Sequence, residues 1–293
     1  MSVLNIAIVQ QKCVPNSEEN LCRSVNGIKH AAKGDAQLVV LSELHRSLYF
    51  CQREDVKNFD LSETVPGPTT ELLGRLAQEL NIVIVASLFE KRAAGVYHNT
   101  AVVLDSDGSI AGKYRKMHIP DDPGFYEKFY FTPGDLGFHP IDTSIGKLGV
   151  LICWDQWFPE AARLVATAGA EILIYPTAIG WDPRDSKQEQ ERQHQAWVTI
   201  QRSHAIANGL HVVAANRTGH EGDPDSGPGI EFWGSSFVAG PQGEIIFQAD
   251  TSEEITRCVS LDMSKTENVR KIWPYFRDRR VDAYRDLLKI YRD

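Results

Sequence analysis

Short apolar runs alternate along this chain with segments whose apolar residues recur every three or four positions. Val3 to Gln10 is a compact apolar run and predicts a first strand. Ser17, followed by Glu18 and Glu19, predicts a helix start with acids in the first turn. Leu21, Val25, Ile28 and Ala32 then keep helical spacing up to Gly34. Leu38 to Leu41 predicts a second, buried strand that ends at Ser42-Glu43. Pro66-Gly67-Pro68 breaks the chain, Thr69 or Thr70 caps a helix carrying Leu72, Leu73, Leu76 and Leu80, and Ile82 to Phe89 predicts a third strand. A β-α-β-α-β opening specifies an α/β protein.

The pattern then changes. Asn99 to Leu104 and Ser109 to Tyr114, joined by Asp107-Gly108, predict a hairpin and hence a partly antiparallel sheet. Ile119 to Gly137 is rich in Pro, Gly, Asp and aromatics and predicts a long ordered loop of the kind that carries function. Leu148 to Ile152 predicts another buried strand, which stops at Cys153. Pro159 and Glu160 open an amphipathic helix through Ala161, Leu164, Val165 and Ala168. Further on, the pattern predicts a strand at Ile172 to Tyr175, a helix from about Glu191 to Asn208 closed by Gly209, and a strand at Val212 to Ala215. Phe232 to Ala239 with Glu244 to Ala249 predicts a second hairpin around Pro241-Gln242-Gly243, and Cys258 to Leu261 a last core strand. The 265–293 tail is charged and aromatic, suited to packing across the domain or onto a partner subunit. Gly222 to Gly229 has no phosphate-binding pattern and reads as a flexible loop.

Composition narrows the class. Hydrophobic residues make up 42% and charged residues 24%, as in a globular domain, and no linker divides the 293 residues, so one domain is expected. A net charge of -8 without a basic block argues against a nucleic-acid binder. No apolar run approaches membrane-spanning length and Met1 to Asn5 lacks a signal-peptide pattern, so no membrane association is expected. The five cysteines are scattered without a C-x-x-C pair, which argues against disulfides or a zinc knuckle and for a reducing cytoplasm. His194, His204, His211 and His220 lack metal-ligand spacing, so no metal is expected.

Three strand ends carry chemistry. Cys153 sits on a sharp strand-to-helix turn, where a thiol can protrude and backbone N–H groups can face an oxyanion. The alternative is a small hydrophobe closing a core strand. Glu43 follows the Leu38–Leu41 run and Lys116 follows the strand ending near Tyr114. In α/β sheets, ligands collect at such carboxyl ends. Glu43 could take the thiol proton, Lys116 could favour the thiolate and hold an oxyanion, and Cys153 could attack. Taken singly, Glu43 reads as readily as a surface acid, and Lys116 as one basic residue of Lys113-Tyr114-Arg115-Lys116.

Together these residues resemble the carbon–nitrogen hydrolase (nitrilase) superfamily. The likeness is carried by Leu41-Ser42-Glu43-Leu44, Tyr114-Arg115-Lys116-Met117-His118 and Leu151-Ile152-Cys153-Trp154-Asp155, and runs through Gly169–Leu173 and Val213–Arg217. It implies a four-layer α-β-β-α sandwich with mixed sheets, assembled into homo-oligomers and needing no cofactor. Asp121 to Asp135, Cys153 to Glu160 and Tyr175 to Trp181 resemble the N-carbamoylputrescine amidase branch. That resemblance implies release of ammonia and CO2 from a cationic carbamoyl-amine, leaving a diamine of polyamine synthesis. It adds Glu127 as a second acid beside the triad, its alternative being a loop salt bridge with Lys128.

A cationic substrate needs acceptors or a π-face. Asp121, Asp122, Glu189 and Glu191 are the candidate acids, Asp122 foremost from its place after Lys116, with Tyr49 and Trp154 as walls and His118 and Thr177 near the site. Each acid can equally be a solvated surface group, each aromatic a core residue, and His118 a structural hydrogen-bonding group. Alternatives with the same chemistry are a ureidopropionase-like or ω-amidase-like enzyme, whose substrates carry a distal carboxylate. A thiol sensor would need only Cys153 and a group that activates it.

Overall fold

The computed structural model describes residues 3–222 and 227–292. Two six-stranded mixed sheets form its centre. The first runs Ile255–Asp262, Val3–Gln10, Leu38–Val40, Val83–Ala93, Val96–Leu104, Ile110–Arg115. The second runs Ile245–Gln248, Phe237–Ala239, His211–Ala215, Ile172–Pro176, Gly146–Val150, Ile141–Thr143. In each, three neighbouring strands are parallel and the flanking ones antiparallel.

The strands of the first sheet use both faces, as the period of two requires. Leu4, Ile6, Ile8, Leu38, Val40, Val83, Val85, Ala101 and Val103 join one apolar cluster with Leu148 and Val150 of the second sheet. Ala7, Val9, Val39, Ile84, Ala86, Val102 and Leu104 form another with helices α1 (Ser17–Lys33) and α2 (Pro68–Leu80), through Ile28, Ala31, Leu73, Leu76 and Ala77. Helices α3 (Pro159–Thr167) and α4 (Lys187–Asn208) pack on the second sheet through Ala161, Ala162, Val165, Trp197 and Ala205. The layers are helix, sheet, sheet, helix: the expected α-β-β-α sandwich.

Several boundaries differ from the pattern-based reading. The α1 cap is Asn16, whose side chain accepts from the Glu18 and Glu19 amides, rather than Ser17. The α2 cap is Gly67, and Thr70 reaches back to bond its amide. Helix α4 starts at Lys187, capped by Ser186, so the polar stretch before Glu191 is its first turn. The expected Phe232–Ala239 strand is two strands, because Gly234 and Ser235 both adopt φ of 51° and break it. Ile230–Trp233 instead pairs with Gly180–Trp181 and Thr218–Glu221 in a small separate sheet. The loop reading of 222–229 falls partly on residues 223–226, outside the described residues.

In the tail, α5 (Ser264–Ile272) anchors through Arg270 to the Asn208 carbonyl, and Phe276 lies beneath the guanidinium groups of Arg163 and Arg270. Beyond it, Leu287, Leu288, Ile290 and Tyr291 are exposed. Among the described residues no helix is long and apolar enough to cross a membrane.

Candidate active site

The three strand ends meet across the seam between the sheets. Glu43 lies just past Leu38–Val40 and Lys116 just past Ile110–Arg115, both in the first sheet, whereas Cys153 follows Gly146–Val150 in the second. Each is placed by tight local backbone. Leu44, next to Glu43, has φ of 47°, and its amide donates to Ser87 Oγ. Gly134 donates its amide to the Lys116 carbonyl and packs so close that a Cβ there would lie 2.0 Å from the Arg115 carbonyl oxygen. Cys153 itself has φ of 40°, a left-handed conformation uncommon outside glycine and a mark of a strained elbow.

Lys116 Nζ donates to Glu43 Oε1 at 2.8 Å and to Glu127 Oε1 and Oε2 at 2.9 and 2.7 Å, with all three side chains buried. Asn99 Nδ2 donates to Glu43 Oε1 at 2.6 Å, and the Tyr49 hydroxyl donates to Glu127 Oε1 at 2.7 Å. Glu43 Oε2 is buried and has no hydrogen-bond partner among the described residues. A buried carboxylate oxygen left open in this way is free to receive a proton. Cys153 Sγ lies 3.7 Å from the Ala178 carbonyl oxygen.

Burial pushes the Cys153 thiol well above its usual pKa; Glu43 adds to the rise and the Lys116 ammonium opposes it. Burial lifts Glu127 to about 7, against the pull of Lys116. Burial also works against the Lys116 charge, but Glu127 and Glu43 outweigh it and hold its pKa well above the ordinary value. The resting arrangement is therefore a neutral thiol beside an ammonium. A thiol held this way needs a base before it can act as a nucleophile.

A cavity of about 350 Å³ opens on the thiol. Cys153, Glu127, Trp154 and Asp122 line it, with Phe125, Trp157 and Trp233 as further aromatic walls and Asp182, Asp185 and Gln193 as further polar ones. Asp122 Oδ1 is buried without a hydrogen-bond partner among the described residues, and burial raises the pKa of its carboxyl. No Lys or Arg stands among the described lining residues. The other residues singled out in the sequence lie outside this lining. Tyr49 stands behind Glu127, and the Thr177 hydroxyl donates to the Tyr175 carbonyl while its own carbonyl accepts the Glu43 amide. His118 is stacked on Phe158 with Nδ1 2.7 Å from Asp155 Oδ1. Asp121 is exposed, Glu189 pairs with Arg192, and Glu191 accepts from Gln195.

The sequence reading did not single out Asn99, Asp155, Asp185 or Gln193. Asp155 accepts from the Ile152 amide, the Tyr114 hydroxyl and the His118 amide, tying the Cys153 elbow to the Lys116 arm. Its place two residues after Cys153 was a usable signal; Asp185 and Gln193 gave none, because the turn before α4 and most of α4 itself are polar. Among the described residues no group of three or more His, Cys, Asp or Glu could hold a metal ion.

The family model described as carbon-nitrogen hydrolase matches residues 5–271. A crystal structure of a carbon-nitrogen hydrolase from Helicobacter pylori G27 superposes with a TM-score of 0.96 at 54% identity, covering 99% of this chain and 100% of that one. The chain belongs to the carbon–nitrogen hydrolase family and is an amidase of the nitrilase superfamily, a hydrolase acting on amide C–N bonds. It is 42% identical to an N-carbamoylputrescine amidase of Oryza sativa subsp. japonica, over 99% of this chain and 96% of that protein. It is also 42% identical to a citrullinase of Francisella tularensis, over 99% and 100%.

Proposed function

We propose that this protein hydrolyses N-carbamoylputrescine to putrescine, CO2 and ammonia, with Cys153 as nucleophile. The Cys153 proton passes to Glu43 as Sγ bonds the ureido carbon, and Lys116 with the Trp154 amide holds the resulting oxyanion. Glu43 returns the proton to the departing NH2 group, so ammonia leaves and an N-substituted thiocarbamate remains on Cys153. Glu43 then deprotonates water, which attacks that carbonyl; the thiol regains a proton, and the released carbamate loses CO2 to give the diamine. Glu127 keeps Lys116 charged and in place.

The observation that carries the substrate choice is Asp122 Oδ1, buried in the same cavity as the thiol with no hydrogen-bond partner among the described residues. A distal ammonium would satisfy it, while the aromatic walls take the methylenes. Citrulline and carbamoyl-β-alanine also carry a carboxylate, which here would meet Asp122, Asp182 and Asp185 with no cation among the described lining residues. Ammonia release from N-carbamoylputrescine, citrulline, carbamoyl-β-alanine and an ω-amide of a dicarboxylate is the test. The carbamoyl-diamine should lead in kcat/KM; a lead for citrulline would replace this reading.

The described cysteines are all free thiols, in keeping with work in the cytoplasm. Self-association is part of the same proposal, supported by the exposed Leu287, Leu288, Ile290 and Tyr291. Light scattering should give a mass above that of one chain, and a monomer would count against it.

A further inference from the structure

Arg217 and Glu221 form an ion pair with almost no solvent contact, Nη1 to Oε1 at 2.8 Å. Burying two charges costs several kcal/mol that their attraction barely returns, so stability alone is a poor reason for such a pair. What the pair touches suggests another. Arg217 Nη2 donates to the Glu43 and Leu44 carbonyls at 2.7 and 2.9 Å, and Nη1 to the Ser47 carbonyl at 3.0 Å. The guanidinium thus clamps the left-handed turn on which Glu43 stands, and its face lies over Phe232. Glu221 Oε2 accepts the Tyr49 amide at 2.6 Å, and the Tyr49 hydroxyl reaches Glu127 Oε1. One arm of the pair ends on the residue carrying the first carboxylate, the other on the tyrosine that holds the second.

We propose that the Arg217–Glu221 pair is the positioning device for both active-site carboxylates. It sets the backbone of Glu43 directly and the carboxylate of Glu127 through Tyr49. A lysine at 217 would keep the charge opposite Glu221 but lose the planar fork that reaches the Glu43 and Leu44 carbonyls together. Glutamine at 221 would keep an acceptor for the Tyr49 amide and remove the charge.

The proposal rests on the reading of Glu43 as the proton acceptor, so Glu43→Gln is assayed beside Arg217→Lys and Glu221→Gln. Steady-state ammonia release from N-carbamoylputrescine is measured together with thermal unfolding. Arg217→Lys should lower kcat about 10²-fold, the scale of a misplacement near 1 Å, with KM changed less than about threefold. Glu221→Gln should lower kcat by roughly tenfold through the weaker hold on the turn, again at nearly constant KM. A folded Arg217→Lys with wild-type kcat, or one whose loss lies in KM, would overturn the positioning role. Should that variant fail to fold, a folded Glu221→Gln at full kcat would do the same. Full activity in Glu43→Gln would remove the catalytic reading and the positioning role with it. An inactive Glu43→Gln beside a fully active Arg217→Lys would remove only the latter.

Discussion

Arg115 and Lys116 are neighbours in sequence, both buried, both bonded to glutamates, and they behave oppositely. Successive residues of an extended strand end point to opposite sides, so each enters a different environment. Arg115 meets Glu90, whose two carboxylate oxygens receive Arg115 Nε and Nη2, Lys113 Nζ and the Thr100 hydroxyl. Every oxygen is used, and these bonds overcome burial and hold the Glu90 carboxyl at about 2. Lys116 meets two carboxylates; one of them keeps an open oxygen, the other rises to about 7, and a cavity lies alongside. A saturated ion cluster serves structure; one left with an open oxygen and a perturbed pKa beside a cavity can do chemistry.

That contrast can be tested by the size of the damage to turnover. Cys153→Ser should fold and lose roughly 10⁴-fold or more in kcat, as removal of a nucleophile does; near-normal ammonia release would end the thiol mechanism. Asp122→Asn should lower kcat/KM for N-carbamoylputrescine by about thirtyfold, the low end for unpairing a buried charge, and should spare an uncharged carbamoyl-alkylamine. Equal losses on both would place Asp122 outside amine recognition. Tyr49→Phe should cost severalfold in kcat. Its hydroxyl lowers the Glu127 pKa, so its loss should raise that value from about 7 and move the acidic limb of the rate profile to higher pH. An unmoved limb would disconnect Tyr49 from Glu127.

Glu90→Gln, on the other side of the strand, should leave turnover unchanged and cost about 2 kcal/mol of stability in denaturant unfolding. The pH dependence has a definite sign. The folded carboxyl, at about 2, lies below its ordinary value of 4.5, so its contribution is complete above about 4.5 and fades as pH falls towards 2. The gap between wild type and Glu90→Gln should therefore close in that window; a constant gap would show that charge is not the source.

The sheet strands and the three chemistry-bearing strand ends were readable because each signal is local. Apolar runs mark strands, and Glu43, Lys116 and Cys153 stand where those runs stop. The cavity beside the thiol was only half readable. Asp122 follows Lys116 closely enough to be suspected, whereas Asp185 comes from just before α4 and Gln193 from within it, in a polar sequence that gives no sign of which side meets the thiol. Tyr49 was noticed as an aromatic wall, but its hydroxyl partner is 78 residues away and leaves no trace in spacing. The break at Gly234-Ser235 escaped because a single left-handed residue after glycine barely alters an apolar pattern.

The Cys153 thiol hangs from one sheet, and the Glu43 carboxyl and the Lys116 ammonium hang from the other. A slip of the two layers by a fraction of a strand repeat would separate these three groups long before it exposed the core. Turnover should accordingly be the earliest casualty of mild denaturant, failing while circular dichroism is still unchanged. A covalent adduct bridging the two banks should act as a rivet that raises the melting temperature.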